Sequence, residues 1–367
     1  MSTWNTASRY LGLDRISGVY LWIAFLAIFG LWRPTEFLTS ITLHSVASEQ
    51  AVAGIVAIAV LIPLICGHYD LSVGANANLA GIIAVVIQQK WGWSVPLSIV
   101  FAVAVGTVVG MVNGVFVVRF RVNSFIVTLG MASVLGAIQV IVTGQRQPNP
   151  ILASSWNNFS QYSIGGFQIV VFYLILLGVA AYWFVEHTPI GRYMRATGAN
   201  PDAARLSGVR VDRWSFISLV ISGGIAALGG VLYSSLTGPS LSFGATLLLP
   251  AFAAAFLGST QLQPGRFNVW GTLLAIYVLA TGVAGMQLVS GQQWLSDMFD
   301  GIALILAVTL AVSRQRRIAS RPAAAKDEPA DQPVLPSHDS EPAVEPEAEQ
   351  NALPLLANGT EQARLYE

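Results

Sequence analysis

The residues in this chain that could do chemistry are a few polar groups set in apolar surroundings. Asp70 is the only acidic residue between position 50 and Glu186, and it opens the string Asp70-Leu71-Ser72-Val73-Gly74-Ala75-Asn76-Ala77-Asn78. An ionisable group near hydrocarbon is expensive and faces a partner or a cavity. Asn113, Asn123, Thr128 and Gln139 add neutral polar groups in or beside the next two apolar stretches. Such groups offer hydrogen bonds without fixed charge, which suits a path for a neutral, polyhydroxylated solute. They suit helix capping and helix-to-helix contacts equally well, and Asp70 with Ser72 and Gly74 can cap the helix that follows. Asp70, Ser72, Asn76, Asn78, Asn123 and Thr128 are therefore candidates for a substrate path, with capping and packing as the alternative. Asn76 and Asn78 are two residues apart and point to different faces of one helix.

Other chemistries are excluded by what is missing. His68 and Asp70 form an H-x-D pair, but His44, His187 and His338 lie in three other segments, so no metal site is expected. No Ser/His/Asp or Cys/His set falls at one depth, and no catalytic residue is expected. Lys90 and Lys326 are the only lysines and neither follows a glycine, so the G-x-x-x-x-G-K-[ST] phosphate loop is absent. A single cysteine, Cys66, rules out an intrachain disulfide. The basic residues are scattered between apolar runs and form no stripe for nucleic acid.

The elements that must position these groups are membrane helices. Hydrophobic residues make up 54% of the chain and charged residues 10%, against about 25% charged in soluble domains. A spanning helix needs about 20 apolar residues. Ten candidates stand at about 18–32, 50–66, 73–89, 95–118, 125–143, 168–185, 214–236, 247–258, 268–290 and 298–313, the eighth and tenth being short. The first is too poor in cleavage-site residues, and too closely followed by other spans, to read as a signal peptide. With the N-terminus inside, 14 Lys/Arg fall on the cytoplasmic side and 3, Arg33, Lys90 and Arg146, on the other. The expected fold is an all-α polytopic membrane protein of about ten transmembrane helices with both termini cytoplasmic. Trp32, Trp91, Trp93, Trp156, Trp183, Trp214 and Trp294 stand near span ends and read as interface anchors.

Packing signals run through the spans. Gly106, Gly110 and Gly114 repeat every four residues, and such stripes let helices approach closely, within one chain or at a dimer seam. Gly223-Gly224 and Gly229-Gly230 read the same way, and Pro63 with Gly67 predicts a break late in the second span. Leu71-Ser72-Val73-Gly74-Ala75 is echoed by Leu241-Ser242-Phe243-Gly244-Ala245. The two fall near opposite faces by span count, which fits an inverted repeat.

The formal net charge of zero joins two unlike parts. Residues 1–321 hold 17 basic and 9 acidic residues, and residues 322–367 hold 2 and 10 with seven prolines. The division expected is a cytoplasmic segment 1–17, a transmembrane domain 18–313 and a disordered, acidic, Pro-rich cytoplasmic tail 314–367. The longest inside loop, 186–213, holds five arginines. Asn200-Pro201-Asp202 reads as a helix start and Gly208 as its end, so a short amphipathic helix is expected there.

At this loop the sequence resembles a family. Gly191-Arg192 through Gly208-Val209 is similar to the cytoplasmic signature of ABC-type monosaccharide permeases of the ribose/xylose/arabinose class. Asp70-Leu71-Ser72-Val73-Gly74 resembles that family's other hallmark, and the likeness runs over about 15–317. It implies the permease subunit of an importer for a monosaccharide or related small polar solute, working by alternating access in the bacterial cytoplasmic (inner) membrane. The implied partners are a second permease chain, as homo- or heterodimer, a cytoplasmic ABC ATPase carrying the ATP and magnesium, and an extracytoplasmic solute-binding protein. This chain itself would hold no cofactor. The resemblance makes Gly191, Arg192, Arg195, Gly198, Asn200, Ala203, Arg205 and Gly208 the ATPase-coupling loop, with Arg195 expected to face the ATPase. The chain departs from the family at Leu248-Leu249-Pro250-Ala251, where an acidic Glu-Leu-Asp-Ala string is usual, and at 258–265, where glycines are fewer. The rival expectation is an ion-coupled secondary transporter, for which Asp70 is the one acid available.

Overall fold

The structure, a computed structural model, describes residues 13–151 and 153–319. The first twelve residues and the tail from 320 on lie outside the described residues. Within them the chain is helical apart from one small hairpin.

The helices are α1 (Leu13–Trp32), α2 (Pro34–Phe37), α3 (Ser40–Ile65), α4 (Val73–Trp91), α5 (Val95–Val118), α6 (Ser124–Thr143) and α7 (Ser154–Gln161). The hairpin β1 (Ser163–Ile164) and β2 (Phe167–Gln168) follows. Then come α8 (Ile169–His187), α9 (Pro189–Ala199), α10 (Pro201–Leu206), α11 (Val211–Thr237), α12 (Phe243–Gly258), α13 (Val269–Ser290) and α14 (Gln293–Ala319). The ten expected spans correspond one to one with α1, α3–α6, α8 and α11–α14. Seven of these, α3, α5, α6, α8, α11, α13 and α14, are long and apolar enough to cross a membrane. α4 falls short because Asn76, Asn78, Gln88, Gln89 and Lys90 dilute it, and α1 and α12 have short apolar cores.

α3 is the centre. Every residue from Ala51 to Ile65 is buried, and its core cluster draws side chains from α8, α11, α12 and α13. The helix starts ten residues ahead of the expected apolar run, because Thr39 caps it by accepting the Thr42 N–H at 3.1 Å. α5, α6, α8 and α14 lie toward the outside and bury the smallest share of their residues.

Glycine fixes where helices touch. Gly106, Gly110 and Gly114 on α5 face Ala227, Leu219 and Phe216 of α11, so the stripe is a contact within this chain. A Cβ on Gly230 would overlap the Ala77 carbonyl of α4. The echoed pair meets as well: Gly74 sits on the Gly244 carbonyl and Gly244 on the Gly74 carbonyl, a reciprocal contact of two helix N-termini. The packing of α3–α6 is repeated by α11–α14. α5 lies on α11 as α13 lies on α3, α4 on α11 as α12 on α3, and α4 on α5 and α6 as α12 on α13 and α14.

Two of the expected interface tryptophans are core residues. Trp156, on the unexpected helix α7, is 1% exposed among Ala80, Ala84, Ala102 and Val231, and its carbonyl accepts the Ser235 hydroxyl. Trp214 is buried and stacks on Tyr193 at 5.5 Å. Trp32, Trp91, Trp183 and Trp294 are exposed at helix ends.

Candidate functional site

The polar residues gather at the α3–α4 break. α3 ends in a Schellman motif: the Gly67 N–H reaches the Leu64 carbonyl and the His68 N–H the Pro63 carbonyl, both at 3.0 Å, with Gly67 at φ +81°. The four residues after it would leave backbone groups unpaired inside the bundle, and in apolar surroundings each needs a partner. Side chains supply them. The Tyr69 N–H donates to Ser124 Oγ at 3.1 Å and the Leu71 N–H to Thr128 Oγ1 at 3.0 Å, both on α6. Asp70 Oδ1 accepts the Ser72 N–H at 3.0 Å and the Ser72 hydroxyl at 2.6 Å. Asp70 Oδ2 accepts the Ser222 hydroxyl of α11 at 2.9 Å. Asn113 of α5 donates to Ser72 Oγ at 2.8 Å.

Asp70 thus ties four helices at one point: α4, which it precedes, α11 through Ser222, α5 through Ser72 and Asn113, and α6 through its neighbours Tyr69 and Leu71. It is 1% exposed. Asn76 donates to the Gly106 and Gly223 carbonyls at 3.1 and 3.0 Å, where α5 and α11 approach. Asn78 points the other way, to Gln139 Oε1 of α6 at 2.7 Å, and Gln139 donates back to the Ala75 carbonyl. Five of the six path candidates, Asp70, Ser72, Asn76, Asn78 and Thr128, therefore lie buried between helices, where they fasten α4 to its neighbours. Asn123 stands apart: exposed, it caps α6 by accepting the Phe125 N–H at 2.8 Å. Ser222 and Ser124 were not among the candidates. Ser222 adjoins Gly223-Gly224, which marks a close helix approach but not the meeting with Asp70.

The loop 186–213 forms two helices. Thr188 caps α9, accepting the Gly191 N–H at 3.2 Å, and Gly191 lies on the Val185 carbonyl where a Cβ would overlap. Asn200 caps α10 through the Ala203 N–H at 3.0 Å. Gly208, at φ +82°, closes α10 with a second Schellman pair, its own N–H on Arg205 and that of Val209 on Ala204. α10 is the helix expected from sequence; α9 is additional, and its Thr-Pro start was equally legible. Gly198 near the end of α9 rests on the Ile65 carbonyl, so the loop bears directly on the capped end of α3.

The loop's charges divide into paired and unpaired. Arg195 pairs with Glu186, both largely shielded, and so turns inward to brace the α8–α9 corner instead of facing outward as expected. Arg121 holds Asp212 through two bonds of 2.9 and 2.8 Å, and Arg205 reaches Asp202 at 3.3 Å and Asp212 at 3.4 Å. Arg192 and Ala203 are exposed, and Leu206 at the end of α10 is 91% exposed. Among the described residues no group of three or more His, Cys, Asp or Glu could hold a metal.

A bundle of long apolar helices, with polar groups buried at a broken helix pair and a structured basic loop, is the architecture of a multi-pass membrane transport subunit. Residues 42–308 match the family described as branched-chain amino acid transport system / permease component, and the chain belongs to that family. It is 29% identical to the ribose import permease protein RbsC of Escherichia coli (strain K12) over 76% of this chain and 88% of that protein. It is 28% identical to the fructose import permease protein FrcC of Rhizobium meliloti, over 78% and 81%. It is 29% identical to the autoinducer 2 import system permease protein LsrC of Enterobacter sp. (strain 638), over 82% and 87%. PsaBC from Streptococcus pneumoniae in complex with Fab aligns over 80% of this chain and 99% of that chain at 15% identity and a TM-score of 0.42.

Proposed function

We propose that this permease is the membrane subunit of an ATP-driven importer for a monosaccharide or a related small polar solute. The match over 42–308, read with relatives named for ribose, fructose and autoinducer 2 import, carries the proposal. The family description names branched-chain amino acids, but the relatives matched over most of this chain are named for sugars and autoinducer 2.

ATP hydrolysis falls to a separate cytoplasmic subunit, in keeping with the missing phosphate loop. That ATPase docks on α9 and α10, where Arg192, Ala203 and Leu206 are presented and Asn200 and Gly208 fix the helix ends. Its movement reaches the bundle through Gly198 against the end of α3. From there it passes to the α3–α4 break that Asp70 holds. A second permease chain completes the path, and an extracytoplasmic binding protein delivers the solute. Ten helices span the bacterial inner membrane with both ends cytoplasmic, supported by the asymmetry of Lys and Arg. The reciprocal Gly74–Gly244 contact and the repeated packing support an inverted repeat of α3–α6 and α11–α14.

The testing experiment is co-purification of a cognate ABC ATPase with wild type and with Leu206→Asp. Binding by wild type and loss with the variant supports the proposal; equal binding contradicts the docking face.

A further inference from the structure

Three arginines on this side of the bundle, Arg121, Arg195 and Arg205, pair with carboxylates, and one cavity brings Arg195 together with two arginines that have no such partner. It has a volume of about 630 Å³ and lies between α9, the end of α3, the 259–268 turn and α14. Arg192, Arg195 and Arg266 line it. Glu186 is the one carboxylate paired with any of the three, and it engages Arg195 through Nη2. Arg192 and Arg266 have no carboxylate partner among the described residues. By contrast Arg121 and Arg205, on the neighbouring face, are held by Asp212 and Asp202. The remaining walls are apolar: Leu64, Tyr69, Phe256, Phe267 and Val312.

We propose that this cavity binds a phosphate group carried on a larger ligand. Guanidinium forks match phosphate oxygens bidentately, and the exposed Arg192 and Arg266 have theirs free of any carboxylate. Three guanidinium groups against one carboxylate leave the cavity net positive, so a neutral sugar would not satisfy it. Its volume exceeds that of a bare phosphate, and the aromatic and aliphatic walls accept the body of the ligand. Two sources share this chemistry: the headgroup of an anionic phospholipid and a soluble phosphate ester. Basic pockets between membrane helices are suited to the first.

The test uses the purified full chain and follows thermal unfolding with three probes. These are phosphatidylcholine vesicles, phosphatidylcholine vesicles containing phosphatidylglycerol, and soluble glycerol 3-phosphate. Arg192→Gln and Arg266→Gln change exposed side chains, and Arg121→Gln is the control outside the cavity. A stabilisation specific to phosphatidylglycerol, kept in the control and weakened about tenfold or more in apparent affinity in each cavity variant, supports the proposal and names lipid as the source. The same pattern with glycerol 3-phosphate supports it and names a soluble ester. No response to either, or an equal response in the cavity variants, overturns it. The readout involves neither ATPase nor solute, so its failure leaves the importer reading untouched.

Discussion

Replacing Asp70 tests whether the α3–α4 break is held by one carboxylate. Asp70→Ala removes the acceptor for the Ser72 N–H, the Ser72 hydroxyl and the Ser222 hydroxyl, all buried. A buried donor left unpaired costs about 1–3 kcal/mol, and a hydrogen bond to a charged group contributes about 1.5–3 kcal/mol. Over three bonds the lower ends of those ranges put the loss at about 3–4.5 kcal/mol, before the void left by the carboxyl group is counted. Asp70→Asn is different. Its Oδ1 still accepts both Ser72 donors, and its amide can donate to Ser222 Oγ once that hydroxyl turns, so the loss is about 1 kcal/mol. The assay is thermal unfolding in detergent by intrinsic tryptophan fluorescence, with the yield of monodisperse protein alongside. The expected order is wild type, then Asn close behind, then Ala far below. Ala unfolding together with wild type would refute the reasoning, and Ala remaining fully folded while only uptake fell would return Asp70 to the solute path.

Gly230→Ala places a methyl group on the Ala77 carbonyl and should separate α4 from α11, lowering stability by at least about 1–3 kcal/mol, while Gly136→Ala, in open space, should be neutral or slightly stabilising. Parallel melting curves of the two variants check this. Glu186→Gln leaves the shielded Arg195 without its counter-charge and should weaken the α8–α9 corner, read as faster proteolysis between 186 and 200. Arg121→Ala, whose pair with Asp212 is half exposed, should cost less than about 1 kcal/mol, and that small loss should shrink further in high salt.

The ends of several helices were legible because local chemistry writes them. Ser94-Val95-Pro96 and Arg119 bracket α5 where expected, and Asn200-Pro201 with Gly208 bracket α10. The Pro63/Gly67 break is equally local. Contacts made across long separations were not legible. Nothing near Ser222 tells that it faces Asp70, 152 residues away. The glycine stripe on α5 marks a close approach but not its partner, which the structure shows to be α11. The burial of Asn76 and Asn78 was unreadable for the same reason: amides that suit a solute path suit helix contacts as well, and only packing decides. The start of α3 was missed because the Ser40–Glu49 stretch is too polar for a hydropathy window, though Thr39 caps it. α7 and the Gly165-Gly166 hairpin are too short to show a period, although both glycines take positive φ as a tight turn requires.

In the proposed mechanism this chain moves its solute with energy from ATP hydrolysed on a partner subunit. The experiment is uptake of radiolabelled ribose or fructose into proteoliposomes holding this chain, a cognate ABC ATPase and a solute-binding protein. Uptake that needs ATP inside, persists when an ionophore collapses the ion gradients, and falls with Leu206→Asp is the predicted result. Uptake that ignores ATP and stops with the ionophore would rule out ATP-driven import and leave an ion-coupled transporter in its place.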